Sequence, residues 1–408
     1  MDPQPNDFRR PYPEDRAARL EEELSRTLDG EVRFDPSSRA LYAVDASNFR
    51  QVPIGVVVPR SIGDVEKTVE LCRKFDAPIL ARGGGTSLAG QCCNVAVVLD
   101  FTKHLNEVLE INAEEGWARV QPGCILDDLR QKAEEENLTF GPDPATHDHC
   151  TIGGMIGNNS CGVHSVMAGR TVDNVIDLDV LTYDGLRMTV GETSDEMFEE
   201  IVAEGGRKAE IYSALGDLRD RYAGMVRDRY PDIPRRVSGY NLDDLLPENG
   251  FNVAKALVGT ECTCVLVLEA KVRLVPARKQ RTLVVLGYSD VYAAADHVPE
   301  ILEFDPIACE GLDEELTTDM KNKGLNVEDL RLLPDGKGWL LVEFGADTKE
   351  ESKRQAENMM SGLKEMSDPP TMKLYTDPEE EENVWQVRES GLGATAFVPA
   401  QDDTWPGW

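Results

Sequence analysis

The sequence predicts an α+β protein, and three patterns carry that prediction. A β-α-β run occupies residues 55–99. Two glycine-rich stretches, Arg82 to Gly90 and Thr151 to Gly162, each lie beside strand-like segments. After Pro276 a fresh alternation of strands and helices begins.

Residues 1–47 are charged and read as a helical lead-in, with a helix over 16–27. Gly55-Val56-Val57-Val58 is a short apolar strand closed by Pro59. Residues 62–75 have helical periodicity, with Asp64 near the start. A second strand, 78–81, runs straight into the glycines, and further strands follow at 95–99 and 118–121, then a helix at 126–137. This opening argues an α+β or α/β subdomain. Residues 141–169 are rich in Gly, Pro, Asn, Ser and Thr, too long a stretch to be idle connection. A strand at 175–183, the hairpin signal Asp184-Gly185 and a return strand at 186–190 come next. Helix is expected over 195–222 and strand within 257–274. Beyond Pro276, strand 283–287, helix 292–304, strand 339–344 and helix 349–366 suit an antiparallel sheet backed by helices.

The 408 residues suffice for two or three domains. No apolar run reaches the ~18 residues of a membrane span, and the polar N-terminus lacks a signal-peptide core. The expected location is the cytoplasm, with docking at the inner face of the membrane as the peripheral variant. Acidic residues number 75 against 43 basic, a net charge of −32. A hydrated acidic surface suited to high salt accounts for this. Such a field repels phosphates, so no nucleic-acid partner is expected, and any site for an anionic substrate needs local positive charge. Nine scattered cysteines contain no Cys-x-x-Cys, so an iron–sulfur cluster is not expected in this chain.

The stretch Arg82-Gly83-Gly84-Gly85-Thr86-Ser87-Leu88-Ala89-Gly90 is an anion nest by composition. Glycine allows positive φ and close backbone approach, and Thr86 and Ser87 add hydroxyls. It is not a P-loop, because Gly85-x4-Gly90 is followed by Gln91. It is not a Rossmann fingerprint, because Leu88 stands where the last glycine belongs. The second stretch, with Thr151, Gly153, Gly154, Asn158, Ser160 and Gly162, offers hydrogen bonds without charge. Two such loops can close on one extended dinucleotide.

Together with Val120-Gln121-Pro122-Gly123, Gly141-Pro142-Asp143-Pro144 and Gly259-Thr260-Glu261, these loops resemble the FAD-linked oxidase family, with its vanillyl-alcohol-oxidase/PCMH-type flavin domain. Asn158 to Ser165 and Trp385 to Gly391 resemble the D-lactate and D-2-hydroxyglutarate dehydrogenase branch. The resemblance implies a PCMH-type FAD-binding domain over 48–276, in subdomains of about 48–138 and 139–276. A partial, ferredoxin-like α/β cap would occupy 277–408. It implies that Arg82 to Ser87 and Gly90 wrap the pyrophosphate and that Pro142, Asp143, Thr151, Gly153, Gly154, Asn158, Ser160, Gly162 and Glu261 lie along the cofactor. Thr86 stands where covalent relatives carry His, so the FAD is expected to be non-covalent. The family's cap should bring a metal-binding His pair and a catalytic His, and neither follows Gly391; the chain is therefore expected to be C-terminally truncated, with an incomplete cap. Cys262 replaces a family glycine.

The implied reaction is oxidation of a small D-2-hydroxy acid (D-lactate, D-2-hydroxyglutarate or glycolate). Electrons would pass to a separate acceptor: another subunit, an iron–sulfur protein or a quinone. The alternative is an FAD-binding subunit or fragment inactive without a partner. A reductase of enolpyruvyl sugars shares the flavin fold and lacks support downstream. Arg388 is the candidate for the substrate carboxylate, since a guanidinium donates two parallel hydrogen bonds; the bland reading is a helix-surface ion pair. His164 is the candidate base, against a structural hydrogen bond. His147-Asp148-His149 is too small a set for a metal site and reads as a polar loop near the flavin. Arg235-Arg236 reads as local charge compensation.

Overall fold

The computed structural model describes residues 12–395; the outer parts of the expected lead-in and cap, residues 1–11 and 396–408, lie outside that range. The chain forms two compact units. Within the described residues, the first holds 12–140, 146–160 and 170–275, and the second holds 141–145, 161–169 and 276–395.

The first unit is built on two sheets. One is ordered β1-β2-β4-β3, from Glu31–Arg33 (β1), Gly55–Val58 (β2), Ile79–Arg82 (β3) and Val97–Asp100 (β4). β3 and β2 both run parallel to β4. β2 and β4 are buried along their whole length, as expected of continuous apolar runs in a parallel sheet. The helix Ile62–Lys74 joins β2 to β3. Ser61 caps it by accepting from the Asp64 N–H, and Val65, Val69 and Cys72 face the core.

The second sheet is antiparallel, from Val108–Asn112 (β5), Trp117–Val120 (β6), Val175–Thr182 (β8), Arg187–Val190 (β9) and Val265–Arg273 (β10), in the order β5-β6-β10-β8-β9. Leu138–Thr139 (β7) and Val275–Pro276 (β11) are two-residue strands. β5 and β6 thus belong to the second sheet, so a subdomain boundary near residue 138 does not follow the pairing. The single helix expected over 195–222 is two helices, Asp195–Glu204 and Gly206–Arg229. Gly205 and Gly206 break it with φ of 73° and 77°.

The second unit is one antiparallel sheet of Gln280–Tyr288 (β12), Ala308–Asp313 (β13), Gly338–Ala346 (β14) and Thr371–Tyr375 (β15), ordered β13-β14-β12-β15. With helices after β12 and β14, this is the interleaved β-α-β arrangement of ferredoxin-like folds. The helix Glu314–Lys323 is inserted between β13 and β14. The segment expected as one helix over 292–304 is split into Val291–Asp296 and Val298–Leu302, because Pro299 cannot donate a helical hydrogen bond. Both faces of the sheet are apolar. Val284, Leu286, Val342 and Phe344 pack with the helix Lys349–Lys364. Leu283, Val285 and Leu341 pack with Val384 and Val387 of the helix Pro378–Glu389. Glu343 interrupts the second face and is only 2 % exposed.

Candidate functional site

The first unit contains a cleft of about 790 Å³, counting the space at its mouth. Its walls include Arg82, Gly83 and Ser87 from the first glycine loop and Thr151, Gly153, Gly154 and Asn158 from the second. Glu261 and Cys262 complete it. Gly84, Gly85, Thr86 and Gly90 lie in the first loop, and Ser160 follows the helix Ile152–Asn158.

The loops touch each other closely enough to explain two glycines. A Cβ on Gly83 would collide with the Thr151 hydroxyl, and one on Gly84 with the His149 carbonyl oxygen. Gly85 and Gly90 take φ of 70° and 84°, where a side chain is strained. Among the described residues, no backbone N–H of residues 83–88 donates to a protein acceptor. A row of N–H groups beside a cleft is an anion nest, and each N–H to a charged oxygen contributes about 1.5–3 kcal/mol. The helix Ile152–Asn158 adds less, because its first amides are already engaged. Gly153 donates to Pro122 O at 2.8 Å and Gly154 to Thr151 Oγ1 at 3.2 Å.

Arg82 departs from expectation. Its guanidinium does not extend along the nest but donates to Val44 O (2.9 Å), Cys92 O (3.1 Å) and Tyr42 O (3.4 Å), and lies over the Tyr42 ring. It clamps the loop's base. Glu261 and Cys262 hold consecutive left-handed conformations, φ 51° and 61°. The family's glycine at the Cys262 position would adopt this without strain. Burial raises the Cys262 thiol pKa, which keeps it protonated.

Pro142, Asp143, Gly162, His164 and Arg388 belong to the second unit. His164 is buried and is held by carboxylates at both ring nitrogens. Nδ1 meets Asp143 Oδ2, and Nε2 lies 2.9 Å from Glu343 Oε2; the His164 backbone N–H also donates to Asp143 Oδ1 at 2.9 Å. Glu343 is held further by Arg281 Nη1 at 3.5 Å and by Trp385 Nε1–H at 3.2 Å. Burial pushes the imidazole toward neutrality, but the two carboxylates outweigh it and hold its pKa at about 9. Burial likewise pushes the Glu343 carboxyl up, and Arg281 and His164 hold it below the usual range. An imidazolium donating from both nitrogens has no lone pair to accept a proton. As described, His164 is an ionic cross-link, which matches its structural reading, a buried hydrogen-bonded group. Asp143 is engaged by the same cross-link, and a Cβ on Gly162 would strike the Asp143 carbonyl, so both serve this packing.

Arg388 donates from Nη2 to Glu310 Oε1 at 3.1 Å, and its buried Nε has no hydrogen-bond partner among the described residues. Arg236 is locally paired with Asp243. His147 turns to Asp127 and His149 to Asp148, so the two rings do not converge, and no metal-holding cluster occurs among the described residues. Glu343, Glu310 and Arg281 escaped the sequence reading. A lone acid within the apolar run Trp339 to Phe344 was the available signal for Glu343.

The family model described as FAD binding domain matches residues 53–191, and that described as FAD linked oxidases, C-terminal domain, matches 277–404. The chain belongs to the FAD-linked oxidase family. An incomplete cap finds no support, because the FAD-linked oxidase C-terminal domain is itself matched over that region. Among curated relatives of this chain, D-2-hydroxyglutarate dehydrogenase of Pseudomonas putida is 31% identical over 70% of the chain and 29% of its own length. Glycolate oxidase subunit GlcD of Bacillus subtilis is 31% identical over 70% of the chain and 52% of its own length. The chain spans about a third of the length of the D-2-hydroxyglutarate dehydrogenases it matches. Alkyldihydroxyacetonephosphate synthase shares the fold (TM-score 0.61, 16% identity, 90% of this chain and 63% of that one). So does p-cresol methylhydroxylase (0.62, 13%, 92% and 69%). The undonated N–H row and the glycine contacts fit the pyrophosphate of FAD. No helix among the described residues is long and apolar enough to cross a membrane.

Proposed function

We propose that this chain binds FAD non-covalently and oxidises a small D-2-hydroxy acid, with electrons leaving for a separate acceptor. One observation carries the reading: the cleft with its undonated N–H row lies in a chain whose two parts match FAD-linked oxidases. The activities named for the relatives supply the substrate class, D-2-hydroxyglutarate or glycolate, with D-lactate as a third candidate.

The amides of residues 83–88 hold the pyrophosphate, and Arg82 fixes the loop from behind. Thr86 offers a hydroxyl and no nucleophilic ring nitrogen, so nothing at that position tethers the cofactor. Bound between these loops, FAD would supply the acceptor for the hydride of the substrate carbon. Arg388 pairs with the substrate carboxylate. GlcD carries the word subunit in its name, which favours an electron-accepting partner: a further subunit, an iron–sulfur protein or a quinone.

The test is anaerobic mixing of the yellow protein with D-2-hydroxyglutarate, D-lactate or glycolate. Bleaching of the visible flavin band by one of them is expected. Full persistence of colour with all three would overturn the catalytic reading and leave the second one, an FAD-binding subunit or fragment inactive without a partner. The locked His164 is the observation that favours this alternative.

A further inference from the structure

The face of the second-unit sheet that carries Leu283 and Leu341 also carries charge. Glu343 and Glu310 lie on it, because Glu343 pairs Ala308, Glu310 pairs Leu341, and alternate strand residues share a face. The helix Pro378–Glu389 lays Trp385 and Arg388, three positions apart, over those two acids. The two acids are treated very differently. Glu343 is saturated, with an imidazolium, a guanidinium and an indole N–H on its two oxygens. Among the described residues, Glu310 bonds Nη2 of Arg388, and the neighbouring Nε of that guanidinium is buried without a hydrogen-bond partner.

Nε–H and Nη2–H point in the same direction, so that edge of a guanidinium is built for two oxygens of one carboxylate. Glu310 fills half of it. It sits on β13, an outer strand of the sheet, where its side chain has fewer neighbours to hold it. The Arg388 and Glu310 side chains remain 22 % and 17 % exposed, so a small solute can reach the pair. A buried donor without a partner is unfavourable, and a free carboxylate gripping both N–H groups would satisfy it.

We propose that Glu310 is an internal stand-in for the substrate: its carboxylate occupies Arg388 and must be displaced by the incoming carboxylate, so Glu310 sets how tightly the acid is held. This rests on Arg388 as the carboxylate anchor. In a chain of net charge −32, Glu310 also keeps that cation neutralised when no acid is bound.

The experiment uses the FAD-loaded full chain and glutarate, a dicarboxylate with no hydroxyl to oxidise, titrated by calorimetry. Glu310→Gln should tighten the glutarate Kd about tenfold, or about 1.4 kcal/mol. Glu310→Asp keeps the charge but is one methylene too short to reach Nη2. It should tighten binding by a smaller factor, and it serves if the Gln variant does not fold. An unchanged or weaker Kd in whichever variant folds, with a lowered Tm alone, would make the pair a structural ion pair and overturn the proposal. Where bleaching occurs, KM should fall with kcat held. Tighter glutarate without bleaching leaves the displacement standing and removes the oxidase reading. Bleaching with KM and Kd unmoved does the reverse.

Discussion

Replacing His164 with Gln removes a cation clamped between Asp143 and Glu343, and the consequence should depend on pH. The folded pKa of about 9 lies above the ordinary value of 6.5. The native state therefore holds this proton more tightly than the unfolded chain does. The resulting stabilisation is whole below pH 6.5 and is lost as pH rises through 9. A gap of that size corresponds to about 3 kcal/mol, at ~1.4 kcal/mol per pH unit. Removing one partner of a buried ion set costs about 3–5 kcal/mol, because the remaining charges are left uncompensated. The two figures agree in scale. At about 2–4 °C per kcal/mol for a unit of this size, the wild type should melt roughly 6–12 °C higher than His164→Gln at pH 6. Scanning calorimetry from pH 6 to 10 should show that gap shrinking on the alkaline side, with the variant's Tm flatter through pH 9. Parallel alkaline decline in the two proteins would refute the cross-link as the titrating element.

Gly84→Ala should push the first loop off the His149 carbonyl, a backbone atom with no rotamer to yield; FAD retained after gel filtration, read by flavin absorbance, should fall at least about tenfold. Arg82→Lys should loosen the loop base, because one ammonium cannot serve three carbonyls in a fork; a Tm loss worth about 1–3 kcal/mol and weaker FAD binding are expected by thermal melt and fluorescence titration. Acid precipitation of the FAD-loaded protein should leave a colourless pellet, and yellow retained in the washed pellet would contradict Thr86 as a non-tethering residue.

Much of the frame was legible because it is local. β2 and the helix Ile62–Lys74 announce themselves through an apolar run, Pro59 and the Ser61 cap. The glycine loop was legible as an anion nest, though not the reason for each glycine: Gly83 and Gly84 meet Thr151 and His149, a contact no spacing encodes. β5 went unseen because its side chains are mostly partly exposed and show no clean alternation. The helix Pro378–Glu389 hid behind its acidic run, although Asp377-Pro378 is a recognisable start, with Asp377 capping the Glu379 and Glu380 amides. His164 was visible as a titratable group near a flavin motif. Its two partners were not, since burial and a distant acid on β14 decide whether an imidazole is a base or a cation.

That distant acid also has a consequence for synthesis. Asp143 precedes His164 by 21 positions, while Glu343 follows it by 179. At roughly 5–20 residues per second, a ribosome needs about 9–36 s to travel from His164 to Glu343. Throughout that interval the nascent His164 has a single carboxylate and no strand Gly338–Ala346 beside it. The middle segments 141–145 and 161–169 therefore wait, made early and completed late, and translation speed across the intervening stretch governs how long they stay exposed to chaperones and proteases.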